Sequence, residues 1–290
     1  MRYEGPVFRP PSEADSLIVQ ATIGCSWNHC TYCAMYSGKV YRARPVAEVL
    51  AEIADLPSTA REAVRRVFLA DGDALAMPAA DLMALLAGLR SLLPKVVRIS
   101  SYATARNLLE TGNEDLLALR SAGLSLLYMG PESGDDVTLK ALAKGADFAD
   151  HVRAAQRAHA AHMTLSAIFL LGAGGTARSE AHAEGSARLI TAMDPRYVSL
   201  LTLTLVDGTP LSRLAQRNGF SLPAVPDLLR EARTIVAASS PRNTVFRCNH
   251  ASNYLPLAGR LPRDRGRLLH AIDEALAGRH VLRPEWARGL

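Results

Sequence analysis

Cysteines Cys25, Cys30 and Cys33 fall within nine residues, in the run Gly-Cys-Ser-Trp-Asn-His-Cys-Thr-Tyr-Cys, and the only other cysteine is Cys248. Three thiolates from one short loop suit three irons of a 4Fe-4S cluster and leave the fourth iron without a protein ligand. A fully ligated electron carrier normally takes four cysteines. The open iron is chemically useful, because a substrate or cofactor can bind it directly. Zinc is the competing reading, since thiolates suit both. A zinc site needs a fourth ligand. His29 adjoins Cys30 and is awkward for the same ion, Cys248 would have to fold back, and the second short ligand pair common in such sites is absent. Tyr32, just before the last cysteine, can shield one side of a cluster or lie against a bound aromatic base.

These residues need elements to hold them. Six apolar runs recur: Ser16–Ile23, Arg66–Ala70, Lys95–Ser100, Leu124–Met129, Thr164–Leu171 and Tyr197–Val206. Most are continuous, as parallel strands covered on both faces should be. Amphipathic segments separate them: Val46–Ala54, Ala79–Leu92, Asn113–Ser121, Asp135–Leu142 with Asp150–Ala161, and Ser179–Ala192. Alternation of this kind predicts an α/β fold, a partial (β/α)6 TIM-like barrel with parallel strands. From Pro210 the pattern turns helical and irregular. Residues 1–209 are therefore expected to form the core, and residues 210–290 a C-terminal helical cover within the same domain.

Polar and glycine-rich residues follow the expected strands. The cysteine loop follows the first, Asp71-Gly72-Asp73 the second, and Ser101-Tyr102 the third. Gly130-Pro131-Glu132-Ser133-Gly134 follows the fourth, Gly172-Ala173-Gly174-Gly175 the fifth, and Asp207-Gly208-Thr209-Pro210 the sixth. In a parallel barrel these ends share one face, where active sites are built.

The composition is that of a globular chain: 49% hydrophobic and 21% charged, with enough apolar material for a sizeable core. No run approaches a membrane span, and the N-terminus lacks the apolar stretch of a signal peptide. The cysteine usage points to a reducing, cytoplasmic setting and a metal site rather than disulfides. Net charge is +5, and all but four of the 33 basic residues are arginine. The arginines are scattered, which argues against a nucleic-acid partner.

The cysteine loop resembles the cluster motif of the radical S-adenosylmethionine (radical SAM) superfamily. Its first spacing, Cys25-x4-Cys30-x2-Cys33, is one residue longer than the usual C-x3-C-x2-C. The strand-end motifs match in order over roughly residues 15 to 205, and look most like the branch of the methylthiotransferases and oxygen-independent coproporphyrinogen oxidases. The run Phe246-Arg247-Cys248-Asn249-His250-Ala251-Ser252-Asn253-Tyr254 resembles that of a group of short radical SAM proteins. The resemblance implies that Cys25, Cys30 and Cys33 bind a 4Fe-4S cluster whose open iron takes S-adenosylmethionine (SAM). It implies reductive cleavage to methionine and a 5′-deoxyadenosyl radical, with the cofactor supplying the chemistry and the protein the orientation. An oxidoreductase or transferase of this kind takes electrons from a donor such as flavodoxin or ferredoxin.

The same resemblance distributes roles. Asp71, Gly72 and Asp73 stand where the family has Gly-Gly-Glu, the segment receiving the SAM amino group. Aspartates replace part of that pattern, and the alternative is a solvated turn. Glu132 and Ser133 match the positions near the ribose and carboxylate, although Ser133 or Asp135 would also serve as a helix cap. Ile168 to Gly175 matches the glycine motif beside the adenine, with Gly172 and Gly174 admitting the base. Tyr32 and Ser101 complete the expected cofactor contacts. Glu180 and His182 read as helix-surface residues. Tyr102 and His250 are the candidate catalytic residues toward a small-molecule substrate; Arg247, Asn253 and Tyr254 accompany His250 in one polar-aromatic run. The alternatives there are a core-lining tyrosine and a loop whose side chains cap helix ends. Cys248 reads as a buried small hydrophobe rather than a hydrogen donor. The rival function is a non-catalytic iron-sulfur or zinc sensor or binding module. An enzyme acting on tRNA is a third possibility, against which the chain offers no second cluster motif.

Overall fold

The apolar runs become strands where they are buried on both faces, as the computed structural model of residues 1–289 shows. The strands are β1 (Leu17–Gln20), β2 (Thr22–Ile23), β3 (Arg42–Ala43), β4 (Arg66–Ala70), β5 (Arg98–Tyr102), β6 (Leu124–Glu132), β7 (Thr164–Leu171), β8 (Tyr197–Thr202), β9 (Thr244–Arg247) and β10 (Ala258–Leu261). All but β2 and β3 belong to one mostly parallel eight-stranded sheet. With helices between the strands, the class is α/β as the alternation predicted. The chain divides into two compact units, interleaved along the sequence. The first comprises Met1–Asn28, Met35–Met129 and Gln156–Leu165; the second comprises His29–Ala34, Gly130–Ala155 and the chain from Ser166.

In the first unit β1, β4, β5 and β6 pair in parallel, with Leu17 opposite Val67, Arg66 opposite Arg98 and Ile99 opposite Leu124. A short antiparallel pair, β2 with β3, sets Thr22 opposite Ala43. On one side Phe68, Ala70, Leu126 and Tyr128 form a buried cluster against which Ile18 and Tyr102 pack. The helix Ala79–Leu92 buries Leu82, Leu85, Leu86 and Leu89, the i, i+3, i+4, i+7 stripe that turns one helix face inward.

In the second unit β7 pairs with β8 in parallel, Ser166 opposite Tyr197, and β8 pairs with β9. Strand β10 runs antiparallel to β9, Gly259 opposite Phe246. Leu142, Leu170, Ala173, Leu203 and Leu211 form a buried cluster that receives the partly buried Tyr32. The helices Ser179–Met193 and Val225–Ala238 each bury one face.

The strand count differs from the six expected. Strands β9 and β10 lie in the segment read as a helical cover, which contains helices and this hairpin. Each is only four residues long, too short for its period to stand out beside the flanking helices. The ladder extends into the following loop, where Cys248 and Leu257 exchange backbone hydrogen bonds of 2.8 and 3.3 Å.

Candidate functional site

Strand β4 ends in Ala70, and the Asp71-Gly72-Asp73 turn that follows grips the start of the cysteine loop. Asp71 Oδ2 accepts hydrogen bonds from Gly24 N (3.1 Å), Gln20 Nε2 (3.2 Å) and Lys39 Nζ (2.9 Å). Gly72 N donates to the Gly24 carbonyl at 3.0 Å. Asp73 Oδ1 accepts from Ser26 N at 2.9 Å, and its other oxygen accepts from the Ser26 hydroxyl. Cys25 is thus bracketed on both sides. At Gly72 a Cβ would stand 2.6 Å from Cys25 Cβ, so only glycine admits the loop so close. Both aspartates are fully buried, which removes the solvated-turn alternative. Bonds from N–H groups to a buried carboxylate contribute about 1.5–3 kcal/mol each, enough to offset the burial of Asp71 together with the lysine. Burial raises the Asp73 carboxyl above its ordinary range, against the opposing bonds from Ser26 and Asn107. Asp71 Oδ1 is buried without a hydrogen-bond partner.

The second half of the loop belongs to the other unit. There Thr31 N donates to the Leu142 carbonyl (3.0 Å), and Leu211 N donates to the Thr31 carbonyl (2.9 Å). The Tyr32 hydroxyl donates to Glu132 Oε1 at 2.9 Å. Lys144 Nζ reaches the same oxygen at 3.2 Å and the Tyr32 hydroxyl oxygen at 3.3 Å. Burial raises the Cys30 thiol above its ordinary range; Lys144 pulls the other way, while Cys33 and Glu132 add to the rise. Glu132 sits at φ 69°, left-handed for a non-glycine residue, a conformation costing about 1–3 kcal/mol. Its carboxylate folds back over Gly130, where a Cβ would lie 2.0 Å from Oε1. The glycine and the strained glutamate are therefore one device. It aims a carboxylate that Tyr32 and Lys144 hold.

One residue further, Ser133 is fully buried. Its Oγ accepts from Asp135 N at 3.1 Å and lies 2.8 Å from His182 Nδ1. Asp135, not Ser133, caps the next helix, accepting from Thr138 N at 3.0 Å. Arg178 makes two bonds to the Asp135 carboxylate, holding that acid well below its usual range. His182 was expected on a helix surface, and the structure corrects this: it is fully buried, whereas Glu180 is exposed. Burial holds its imidazole down at about 4, against opposing pulls from Asp135 and the Leu170 carbonyl. Gly172, at φ 85°, turns the chain after β7. At Gly174 a Cβ would lie 2.8 Å from His182 Cβ, so the glycine lets the helix close on the turn.

The remaining candidates are spent locally. Ser101 is buried, and its hydroxyl donates to the Tyr102 carbonyl at 2.8 Å. Tyr102 meets Phe68 edge-on at 5.1 Å between ring centres and lies 6.2 Å from Tyr128. His250 Nδ1 accepts from Ser252 N at 3.1 Å and lies 2.8 Å from the Ser252 hydroxyl, so it caps its own loop. Asn253 pins that loop to β8 through the Leu200 carbonyl (2.7 Å) and the Thr202 hydroxyl (2.9 Å). Arg283 donates to the carbonyls of His250 and Asn253. Tyr102 lies in the first unit and His250 in the second. Sequence reasoning missed Gln20, Lys39, Lys144 and Glu231. Lysine is rare here, and two of the four lysines carry site contacts, which is a readable signal. Glu231 interrupts an apolar stripe of Leu228, Ala232 and Ile235, and that too can be seen in the sequence.

The residues fit a cluster and SAM. The cysteines form no disulfides, and three come from one loop with each half separately anchored. Among the described residues no three His, Cys, Asp or Glu side chains gather as one metal ion requires. Thiolates on a cluster each take a different iron and need no common point. The partnerless, buried Asp71 Oδ1 is an acceptor suited to an ammonium group.

Residues 19–184 match the sequence model described as the Radical SAM superfamily. No curated protein matches the chain. Among solved structures, methylornithine synthase (PylB) is similar at 20% identity and TM-score 0.55, over 78% of this chain and 63% of that one. Coproporphyrinogen III oxidase (HemN) from Escherichia coli, a radical SAM enzyme, matches at 17% and 0.57, over 77% and 52%. The radical SAM methyltransferase TsrM from Kitasatospora setae, with cobalamin and a 4Fe-4S cluster bound, matches at 19% and 0.56, over 70% and 37%. The chain thus spans less than two thirds of each of these proteins, and at such identities the likeness is one of fold. No helix among the described residues is long and apolar enough to cross a membrane. With more than half its length matched by the sequence model, the chain belongs to the radical SAM superfamily, enzymes whose cofactors are a 4Fe-4S cluster and S-adenosylmethionine.

Proposed function

We propose that the chain cleaves SAM reductively and directs the resulting radical at a small-molecule substrate. The observation that carries this reading is the Asp71-Gly72-Asp73 turn closed around Cys25, with one buried carboxylate oxygen left over. Cys25, Cys30 and Cys33 would hold the cluster. When bound, cluster and SAM together supply a one-electron cleavage that yields methionine and a 5′-deoxyadenosyl radical.

The chain's own residues orient and shield. Asp71 Oδ1 accepts from the SAM ammonium, in the place where the family motif receives it. Glu132, held by Tyr32 and Lys144, accepts from the ribose hydroxyls. Lys144 adds positive charge for the SAM carboxylate. The Gly172–Gly175 turn gives the adenine room against the backbone. Ser101 and Tyr102 line the end of β5, and His250 stays a candidate for substrate contact through its remaining ring nitrogen. A flavodoxin or ferredoxin fits as electron donor.

Anaerobically reconstituted protein should be brown, and with dithionite and SAM it should release 5′-deoxyadenosine. Iron-replete protein that leaves SAM intact would count decisively against the reading, in favour of a sensor or binding module.

A further inference from the structure

Glu231 lies outside the matched residues 19–184, on the helix Val225–Ala238, and its side chain is 1% exposed. On a buried apolar stripe a glutamate needs partners, because an unpaired buried carboxyl costs several kcal/mol or must stay neutral. Its partners are two donors. Gly172 N donates to Oε2 at 2.6 Å, and the Ser179 hydroxyl donates to Oε1 at 2.6 Å. The first belongs to the glycine turn after β7, the second to the start of the helix carrying His182. His182 Nε2 is buried and lies 3.8 Å from Oε2, with the Leu170 carbonyl also acting on the ring. The ring's other nitrogen meets Ser133 Oγ at 2.8 Å. Since Ser133 Oγ already accepts from Asp135 N, its own proton is free to go to Nδ1. In the tautomer where Ser133 donates to Nδ1, the ring proton sits on Nε2, on the side of Glu231.

We propose that Glu231 is a positioning residue for SAM, fixing the Gly172 turn directly and the Ser133 hydroxyl through His182. This deepens the functional reading above and rests on it, since that reading puts SAM against the Gly172 turn and the family motif places Ser133 near its ribose and carboxylate. One buried carboxyl holds the turn after β7 and lies against the His182 ring that meets Ser133, in a polar network that Ser186 and the Arg178–Asp135 pair also join. Ser186 Oγ accepts from Gly134 N at 3.2 Å and lies 3.5 Å from His182 Nδ1. A helix beyond the matched segment thereby shapes the cofactor pocket within it.

The test is SAM affinity, measured by calorimetry on cluster-loaded wild type, E231A and E231Q, with iron content, circular dichroism and thermal midpoint recorded for each. E231A should weaken SAM binding tenfold or more while keeping its iron. E231Q should return to within about threefold, because its carbonyl accepts from Gly172 N and its amide donates to a rotated Ser179 hydroxyl. A merely structural role would lower the thermal midpoint of E231A and leave the affinity of the folded protein unchanged; that result overturns the proposal. Should E231A fail to fold, S179A carries the test by removing one of the two bonds: threefold or greater weakening supports the proposal, and wild-type affinity overturns it. Wild type that binds no SAM would instead sink the functional reading beneath.

Discussion

Two buried carboxylates, one in each unit, are held in opposite ways. In the first, Asp71 is fully buried beside a positive charge, Lys39, and two further donors. In the second, Glu231 is equally buried but meets only neutral donors, and burial pushes it up to about 7. One carboxylate is paired with a lysine where the expected ligand bears an ammonium. The other is held close to neutrality, where the need is to fix backbone rather than attract charge. A buried ion pair is a poor source of stability but an exacting one, because removing either partner strands the other. A neutral, doubly bonded carboxyl lacks that penalty and answers to pH instead.

The largest effect expected falls on the cysteine loop itself. Cys30→Ala should abolish cluster retention, read as loss of iron and of the visible absorbance after anaerobic reconstitution. Cys25→Ala should do the same, although its loop segment is anchored by the other unit. If one variant keeps a full complement of iron, the two halves of the loop do not act as one ligand set.

Next comes Lys39→Ala. It strands the Asp71 charge, and a loss of about 3 kcal/mol is expected in urea unfolding. Adding Asp71→Asn should recover much of that loss, since the stranded charge is then gone. A single variant as stable as wild type would mean that the lysine does not pair with Asp71 in solution, and the contrast between Asp71 and Glu231 would collapse.

A third experiment tests the nearly neutral carboxyl of the second unit by pH. Glu231 is raised to about 7, so its contribution to stability is complete below about 4.5 and is lost as pH climbs through 7. His182 is lowered to about 4, so its contribution is complete above 6.5 and is lost as pH falls through 4. Between these limits the two slopes oppose each other. E231Q removes the first and leaves the second. Relative to wild type, the variant should gain stability as pH rises from 4.5 to 7, by on the order of 2–3 kcal/mol. Asp227 on the same helix reinforces the rise at Glu231, and Asp135 opposes the fall at His182. Unfolding midpoints at several pH values measure the difference, and a variant parallel to wild type would refute the neutral-carboxyl account.

Much of this could be read from the sequence, and the limits have physical causes. The helices Val46–Ala54, Ala79–Leu92 and Asn113–Ser121 and the strands β4 and β7 begin and end as periodicity predicts, because each presents its burial pattern locally. Strand β5 runs to Tyr102, beyond the apolar run, because its polar Ser100 and Ser101 are buried. The Lys39–Asp71 pair spans 32 residues and Glu231–Gly172 spans 59, and no local pattern announces a partner so distant. His182 misled for a related reason. A lone histidine near a helix start is ordinary surface chemistry until the fold packs a second helix over it. The order of the strand-end motifs was legible; the residues that steady them were not.

The smallest effect expected concerns the fourth cysteine. Cys248 is 3% exposed, and burial pushes its thiol up to about 12. A thiolate is the form that binds iron and attacks electrophiles, so this sulfur is inert in both respects. It lines a small cleft with Leu229, Ala232 and Leu257, where a sulfhydryl counts as a modest apolar volume. Cys248→Ala should therefore cost about 1 kcal/mol, with iron content, SAM affinity and 5′-deoxyadenosine yield unchanged. Cys248→Ser keeps the size but buries a hydroxyl, and should cost more than alanine unless the Leu257 backbone accepts its proton. Loss of turnover in Cys248→Ala with the cluster intact would make this sulfur a participant, and the second unit would then hold a reactive group that its electrostatics do not announce.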